Sequence, residues 1–256
     1  MTTWAEAVGL VAAGIGAGVC GSVAGLASLS SYPALLATGM SPVAANVTNT
    51  VALVGSSLGS VIGSRPELRG QGHRLRSYAG LTLLGGVIGA VLLLTTPSGG
   101  FAKAVPFLIA LSAVLVLVQP RLQAALTRRR ASAAAPVRIG WAWRSALVGI
   151  GLYGGYFGAG AGVMMIAVLA LITGDALVRV NALKNVLLGV ANGGAAIGFA
   201  LVGPVHWLPA VLLGLGCVAG GYVGPALVRV IPPLLLRTLI ALAGLYLAVS
   251  LFLDAY

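Results

Sequence analysis

Residues 14–63 read GIGAGVCGSVAGLASLSSYPALLATGMSPVAANVTNTVALVGSSLGSVIG, and residues 149–198 read GIGLYGGYFGAGAGVMMIAVLALITGDALVRVNALKNVLLGVANGGAAIG. Set against each other at an offset of 135 residues, without a gap, fifteen of the 50 positions are identical. The matches include Gly14/Gly149, Gly16/Gly151, Gly25/Gly160, Gly59/Gly194 and Gly63/Gly198. Small residues are common here and inflate such a count. The shared Thr-Gly pairs, Thr38-Gly39 and Thr173-Gly174, are stronger landmarks, because each is followed seven residues later by asparagine, Asn46 and Asn181. The chain is therefore expected to carry one unit twice.

Composition fixes the class of that unit. Of 256 residues, 59% are hydrophobic and only 7% charged, against about 25% charged in a soluble domain. The four acids, Glu6, Glu67, Asp175 and Asp254, could not help cover a soluble surface of this size. The glycines follow no three-residue period, which excludes collagen, and the apolar content excludes disorder. Long apolar runs replace the short alternating segments of a β-barrel. The expected fold class is an all-α polytopic membrane protein. The net charge of +11 does not point to nucleic acid, since almost all basic residues fall in short loops, as cytoplasmic anchors do. Cys20 and Cys217 lie inside apolar runs, so no disulfide framework is expected. No Lys or Arg precedes Arg65, so a secretory leader is not expected, and Val19 before Cys20 argues against a lipoprotein cleavage site. The excess of arginine over lysine, with abundant Ala and Gly, fits a GC-rich bacterial genome.

A span needs about 20 residues. Full spans fit at 42–63, 78–96, 101–119, 176–202, 207–228 and 233–252. Residues 5–38 and 142–173 are too long for one helix and short for two, and both are interrupted by clustered glycine. Each fits a hairpin of short helices or one long broken helix, giving about eight hydropathy segments in all. The Arg-rich, Ala/Ser-rich segment 120–141 reads as a basic cytoplasmic linker between an N-terminal membrane repeat, 1–119, and a C-terminal one, 142–256. Charge then orients the halves. With returning hairpins, Arg65, Arg69, Arg74, Arg76, Arg121–Arg144, Arg179, Arg229 and Arg237 all fall on one side. Eight simple spans with parallel halves would put Arg229 and Arg237 opposite the rest. The positive-inside rule prefers two inverted repeats, each a glycine-broken hairpin plus three spans.

Paired glycine breaks at matching places are the best sequence pointer to a transport site. A helix that starts at a break presents free N–H groups and the positive end of its dipole, which suits an anion. The polar residues of the following spans sharpen this: Asn46, Thr48, Asn49 and Thr50 in the first half, Asn181, Lys184 and Asn185 in the second, with Asn192 further along. Counting from Gly174 at 1.5 Å per residue, Lys184 sits about 15 Å in, half of a roughly 30 Å core, and Asn49 aligns with it. Lys184 is the one cation deep in a span, and no acid shares that depth. The expected substrate-binding set is Asn46, Thr48, Asn49, Thr50, Asn181, Lys184 and Asn185, with the backbone of Gly158, Gly160 and Gly162. Glycine packing, helix–helix hydrogen bonds from each Asn or Thr, and snorkelling of Lys184 or its pairing with helix carbonyl ends are the alternative roles. Asp175 fits a helix cap or dipole partner, and His206-Trp207 an interfacial anchor. No HExxH, CxxC, paired-carboxylate or GxxxxGK[ST] pattern occurs, so no enzyme, metal or cofactor is expected.

The run Ser28-Leu29-Ser30-Ser31-Tyr32-Pro33-Ala34-Leu35-Leu36 followed by Ala45-Asn46-Val47-Thr48-Asn49-Thr50 resembles the sulfite exporter TauE/SafE (TSUP) family. So do Asn181-Ala182-Leu183-Lys184-Asn185-Val186, His206-Trp207, and Pro232-Pro233 through Leu236-Arg237. The resemblance covers nearly the whole chain. It implies a multi-pass transporter of the bacterial inner membrane, acting on small sulfur-containing or carboxylated anions such as sulfite or sulfonates. The expectation is a secondary exporter of a small anion working by alternating access, with lipid as its surroundings and proton or ion coupling compatible with the scheme. A passive anion channel and a non-transporting membrane assembly subunit are the rival expectations. Which anion, the direction of transport and the oligomeric state are not legible in the sequence.

Overall fold

The computed structural model describes residues 4–131, 140–227, 242, 245, 246 and 248–253. All regular structure among them is helical: α1 (Trp4–Ala24), α2 (Ala27–Ala37), α3 (Pro42–Gly63), α4 (Arg65–Leu68), α5 (Gly72–Thr95), α6 (Ser98–Ala131), α7 (Trp141–Tyr156), α8 (Ala161–Thr173), α9 (Leu177–Val202) and α10 (Trp207–Leu227). Residues 248–253 are also helical. Local chemistry sets the boundaries. α1 ends where Gly25 turns left-handed (φ 75°), with Leu26 N–H donating to the Cys20 carbonyl and Gly25 N–H to that of Gly21, the 5→1 bond of a glycine αL cap. α8 lies between two left-handed glycines, Gly160 and Gly174. α3 opens on Pro42 behind Ser41, whose hydroxyl accepts from Ala44 N–H at 3.4 Å.

Helices α1, α5, α6, α9 and α10 are long and apolar enough to cross a membrane. With 22 residues α3 is also long enough, at about 33 Å, and it carries Asn46, Thr48, Asn49, Thr50, Ser56, Ser57 and Ser60 along its length. The polarity is inside out. Asn46, Thr48, Asn49 and Lys184 are fully buried, while Leu84, Val91, Leu111, Val114, Leu201 and Leu215 are exposed. In lipid this is the low-energy arrangement, because polar side chains find partners only in the protein interior.

Glycine contacts give the helix directions. Gly14 packs on Leu213 and Gly216, and Gly18 on Cys217 and Gly221, so α1 and α10 run parallel. Gly55 packs on Gly214, Gly59 on Val218 and Gly63 on Tyr222, so α3 joins them in the same direction. In a second group, Gly85 meets Val148 and Gly89 meets Leu152, while Gly86 meets Ala191 and Gly198 meets Ala90; α5, α7 and α9 are parallel. Ser57 packs on Gly189 and Val47 on Gly203, so α3 and α9, and with them the two groups, are antiparallel. Since α1 and α3 point the same way, the chain turns back between them through α2, and α8 does the same between α7 and α9. Without a hydrophobic force between helices in lipid, close backbone approach supplies the packing.

Charged loops gather at one end. Arg74 pairs with Asp175, Arg179 donates to the Arg69 carbonyl at 3.0 Å, and Gln71 donates to the Arg179 carbonyl at 3.2 Å. Asp175 is thus held by arginine, and the N-cap of α9 is Ala176. The end of α10 lies beside Gly63 on this same face. Arg229 and Arg237, on which the sequence-based orientation turned, lie outside the described residues, as does most of the span expected at 233–252. Helix α6 runs on through Pro120 to Ala131, well into the segment expected as a linker. Its Gln, Leu, Ala and Arg residues there are good helix formers in water as in lipid.

Two glycines of α1 give a paired test. A methyl group on Gly14 would collide with the Leu213 carbonyl, whereas nothing lies within 4 Å of one on Gly16. Gly14→Ala is expected to cost about 1–3 kcal/mol and Gly16→Ala to be neutral or stabilising by up to roughly 1 kcal/mol. Thermal denaturation of the two variants in detergent reads the difference.

Candidate functional site

The two helix breaks meet. The backbones of Gly25, after α1, and Gly162, in the first turn of α8, touch so closely that a methyl group on either would strike the other's Cα. Tyr32 of α2 packs edge-on against Phe157, which ends α7, at 5.5 Å between ring centres. Next to this contact lies a cavity of about 50 Å³; one water needs roughly 10–15 Å³ by this measure, so a small polyatomic ion or a few waters fit. Its wall takes Gly21, Gly25, Ala27 and Ser28 from the first break, Gly154, Phe157, Gly158 and Ala161 from the second, and Thr50, Ser56, Ser57, Ser60, Asn185 and Asn192 from α3 and α9. No Asp, Glu, Lys or Arg is among the lining residues.

The electrostatics of the breaks divide in two. On the cavity side are the first turns of α2 and α8, whose N-caps, Leu26 and Gly160, carry no side-chain cap. These are positive dipole ends. Two buried side-chain atoms in the same wall, Asn185 Nδ2 and Ser60 Oγ, have no hydrogen-bond partner. Amide N–H groups in a wall without carboxylates favour an anion.

On the other side are the carbonyl ends of α1 and α7, and donors from elsewhere in the chain satisfy them. Lys184 Nζ donates to the Gly21 carbonyl at 2.8 Å and lies 3.4 Å from that of Ser22. Asn181 donates to the Ser22 carbonyl at 2.7 Å, and its counterpart Asn46 donates to the Tyr156 carbonyl at 2.8 Å. Gln119 of α6 takes the Ala24 carbonyl at 3.1 Å. Ser112 and Tyr153 both donate to the Ala159 carbonyl, at 2.6 and 2.7 Å. Unpaired carbonyls in a bilayer cost several kcal/mol each, so these bonds are what allow the helices to stop here. Lys184 is fully buried, and its charge sits on the negative end of the α1 dipole in place of a carboxylate.

Among the expected site residues, Thr50, Asn185 and Gly158 line the cavity. Lys184, Asn181 and Asn46 brace the helix ends behind it. Asn49 accepts a 2.5 Å bond from Ser31, and Thr48 accepts from His206 N–H at 3.0 Å, tying α3 to α2 and to the start of α10. Gly162 forms the contact with Gly25, and Gly160 packs on Ser112. Sequence reasoning did not single out Ser28, Ser56, Ser57 or Ser60. The spacing of Ser56 and Ser60, four apart and therefore on one helix face, was the available signal.

The family model described as sulfite exporter TauE/SafE matches residues 10–251. The chain belongs to this family. "Probable membrane transporter protein YfcA" of Escherichia coli strain K12 is 26% identical over 244 residues, 94% of this chain and 87% of that protein. A "Probable membrane transporter protein" of Haemophilus influenzae is 27% identical over 252 residues, 96% and 92% of the two chains. A third, "Probable membrane transporter protein ORF9" of a Sinorhizobium species, is 26% identical over 244 residues, 93% and 89%. No solved structure matches the chain significantly. Membership is thus of a membrane-transporter family, over a stretch that takes in both helix breaks.

Removing the ammonium tests its bracing role. Lys184→Ala takes one of two donors from the Gly21 and Ser22 carbonyls, which keep Gly25 N–H and Asn181, and is expected to cost about 1.5–3 kcal/mol, the worth of a hydrogen bond to a charged group. A drop in melting temperature of the detergent-solubilised protein would register it. An unchanged value would show that the bond to Gly21 carries no stability.

Proposed function

We propose that the protein is a secondary transporter, an exporter in the bacterial inner membrane, for a small sulfur-containing or organic anion. The observation that carries this reading is the cavity between the breaks, with two uncapped helix N-termini, amide and hydroxyl donors, and no acid in its wall. Asn185, Ser28, Thr50, Ser56 and Ser60 would replace part of the anion's hydration shell. Lys184 would act from one residue behind, through Gly21, which both lines the cavity and accepts its bond. The family description supports sulfite or a related anion as substrate. A proton or another ion would couple the movement to a gradient.

The two halves would be inverted repeats, with the arginine-rich loops in the cytoplasm. The helix directions support this, because α1 and α7, α3 and α9, and α5 and α10 are equivalents by sequence and point opposite ways. The bodies that move would not be the sequence halves. Each parallel group, α1-α3-α10 and α5-α7-α9, mixes helices of both halves and is glued by glycine-to-backbone contact. The cavity lies where the groups meet, and bonds such as Asn46 to Tyr156 and Asn181 to Ser22 cross between them. Sliding of one group on the other would expose the cavity to each side in turn.

Flux of sulfite, thiosulfate, sulfonates and carboxylates into proteoliposomes tests this. Saturable flux, accelerated by anion on the opposite side, is expected for at least one of them. Asn185→Ala should weaken its apparent affinity about ten- to 150-fold, the loss of one hydrogen bond to a charged group. Unchanged affinity and rate in Asn185→Ala and Lys184→Ala for every transported anion would sink the site. Non-saturating flux with resolved single-channel currents would replace the transporter with a channel. Failure to move any solute, together with a stoichiometric partner on purification, would make the protein an assembly subunit.

Orientation has its own test. In a background lacking Cys20 and Cys217, Arg69→Cys should label only from the cytoplasm and Ser98→Cys only from the periplasm. The reverse pattern would refute the proposed orientation, and labelling of both from one side would refute the topology.

A further inference from the structure

Away from the cavity, the charged face carries a second recess. His73, Arg74, Ser77, Tyr78 and Leu81 on one side of α5 and Arg144 on α7 enclose a cleft of about 370 Å³. Helices α5 and α7 are parallel, so both begin at this cleft, and neither N-cap, Gln71 or Gly140, has a side-chain cap. Arg74 is engaged by Asp175, but no carboxylate among the described residues pairs with Arg144, whose guanidinium lies 5.7 Å from the centre of the Trp141 ring. The lining contains no acid. A cleft with two guanidinium groups, an imidazole, two hydroxyls and two positive dipole ends calls for a phosphate.

The lower edge of the cleft says which kind. Leu81 forms it, and Leu84 and Ile88, three and seven residues further along the same helix, are 53% and 41% exposed. The cleft therefore opens onto the apolar outer surface as well as onto water. Trp141, 82% exposed beside it, has the amphipathic character of residues at the level of lipid headgroups. A free phosphate would use only the upper half of this arrangement. A phospholipid would use both, its phosphate under Arg144 and His73 and its chains along Leu81, Leu84 and Ile88.

We propose that the cleft between the starts of α5 and α7 is a binding site for the headgroup of an anionic phospholipid. The bound lipid would supply the counter-charge that Arg144 lacks among the described residues, and would hold the start of α7 against α5.

The test uses the full-length protein, purified and stripped of lipid in detergent, without any transport measurement. Phosphatidylglycerol should be retained in native mass spectrometry and raise the melting temperature, with phosphatidylcholine clearly weaker. Replacing both Arg144→Gln and His73→Asn should weaken phosphatidylglycerol binding about thirtyfold, following roughly 1 kcal/mol for each of the two basic residues at a membrane surface. Arg144→Lys, which keeps the charge, should restore most of it. Should the double variant prove unstable without lipid, Ser77→Glu, an exposed change that removes no cation, must show the same loss. Equal binding of the two lipids, or wild-type affinity in these variants, would overturn the proposal. So would inorganic phosphate or glycerol phosphate stabilising as strongly as phosphatidylglycerol, which would mark a site for a soluble phosphate.

Discussion

A helix that stops inside a bilayer must have its freed backbone groups satisfied by protein, since lipid offers them nothing. Most of the structure around Gly25 and Gly158–Gly162 answers that requirement. The carbonyl ends of α1 and α7 are met by Lys184, Asn181, Asn46 and Gln119, and the Ala159 carbonyl in the link between α7 and α8 by Ser112 and Tyr153. None of these partners is an ion pair. The ammonium of Lys184 is tolerated because carbonyls and the α1 dipole take the role of a carboxylate, and its hydrogens point at the helix end. The amide ends of α2 and α8 lie on the cavity side without side-chain caps, although Leu29, Ala161 and Val163 N–H donate to neighbouring carbonyls. Carbonyl ends braced on one side and positive dipole ends on the other turn a structural interruption into a polarised recess.

That polarity depends on two bare backbones meeting. Gly25 and Gly162 touch at their Cα atoms, so neither position tolerates a side chain, and Gly25 also needs a left-handed φ. The breaks could not converge with any other residue at these positions. The same economy fixes the outer framework, where Gly14, Gly18, Gly59, Gly85 and Gly89 let helices approach to backbone contact. The glycine content thus has two separate uses. In the helix middles it is packing. At the breaks it is conformation and approach together.

Much of the fold was legible because it is written in long apolar runs and their interruptions. The spans expected at 42–63, 176–202 and 207–228 lie within a residue or so of α3, α9 and α10, since Pro42, Gly174 and Trp207 mark their starts chemically. The linker was less legible. Residues 120–131 carry charge, which reads as loop in a membrane chain, yet their helix propensity lets α6 continue beyond the apolar segment. At the site, the sequence located the breaks and the polar spans but could not say which polar group faces which way. Lys184 and Asn185 are neighbours, so on a helix they point about 100° apart. The first reaches the α1 carbonyls and the second the cavity. The serines of α3 passed unnoticed because serine is unremarkable in a transmembrane helix, where it also serves close packing.

The 135-residue offset pairs the two halves in sequence but does not reveal how their helices interlock. The natural expectation is that each half folds on itself and that the halves face each other. Instead α1 packs on α10 and α3, and α7 on α5 and α9, so every parallel group borrows from both halves. The reason lies in the returning hairpins. Because α2 and α8 bring the chain back, α1 and α3 share a direction, and a parallel neighbour with a complementary glycine face is found in α10 of the other half. Neither half has its own complete packing surface. The crossing bonds Asn46 to Tyr156 and Asn181 to Ser22 belong to this exchange: each asparagine satisfies a helix end that its own half did not create. A cavity at that crossing is built by both halves at once, which is why its wall draws on residues 21–60 and residues 154–192.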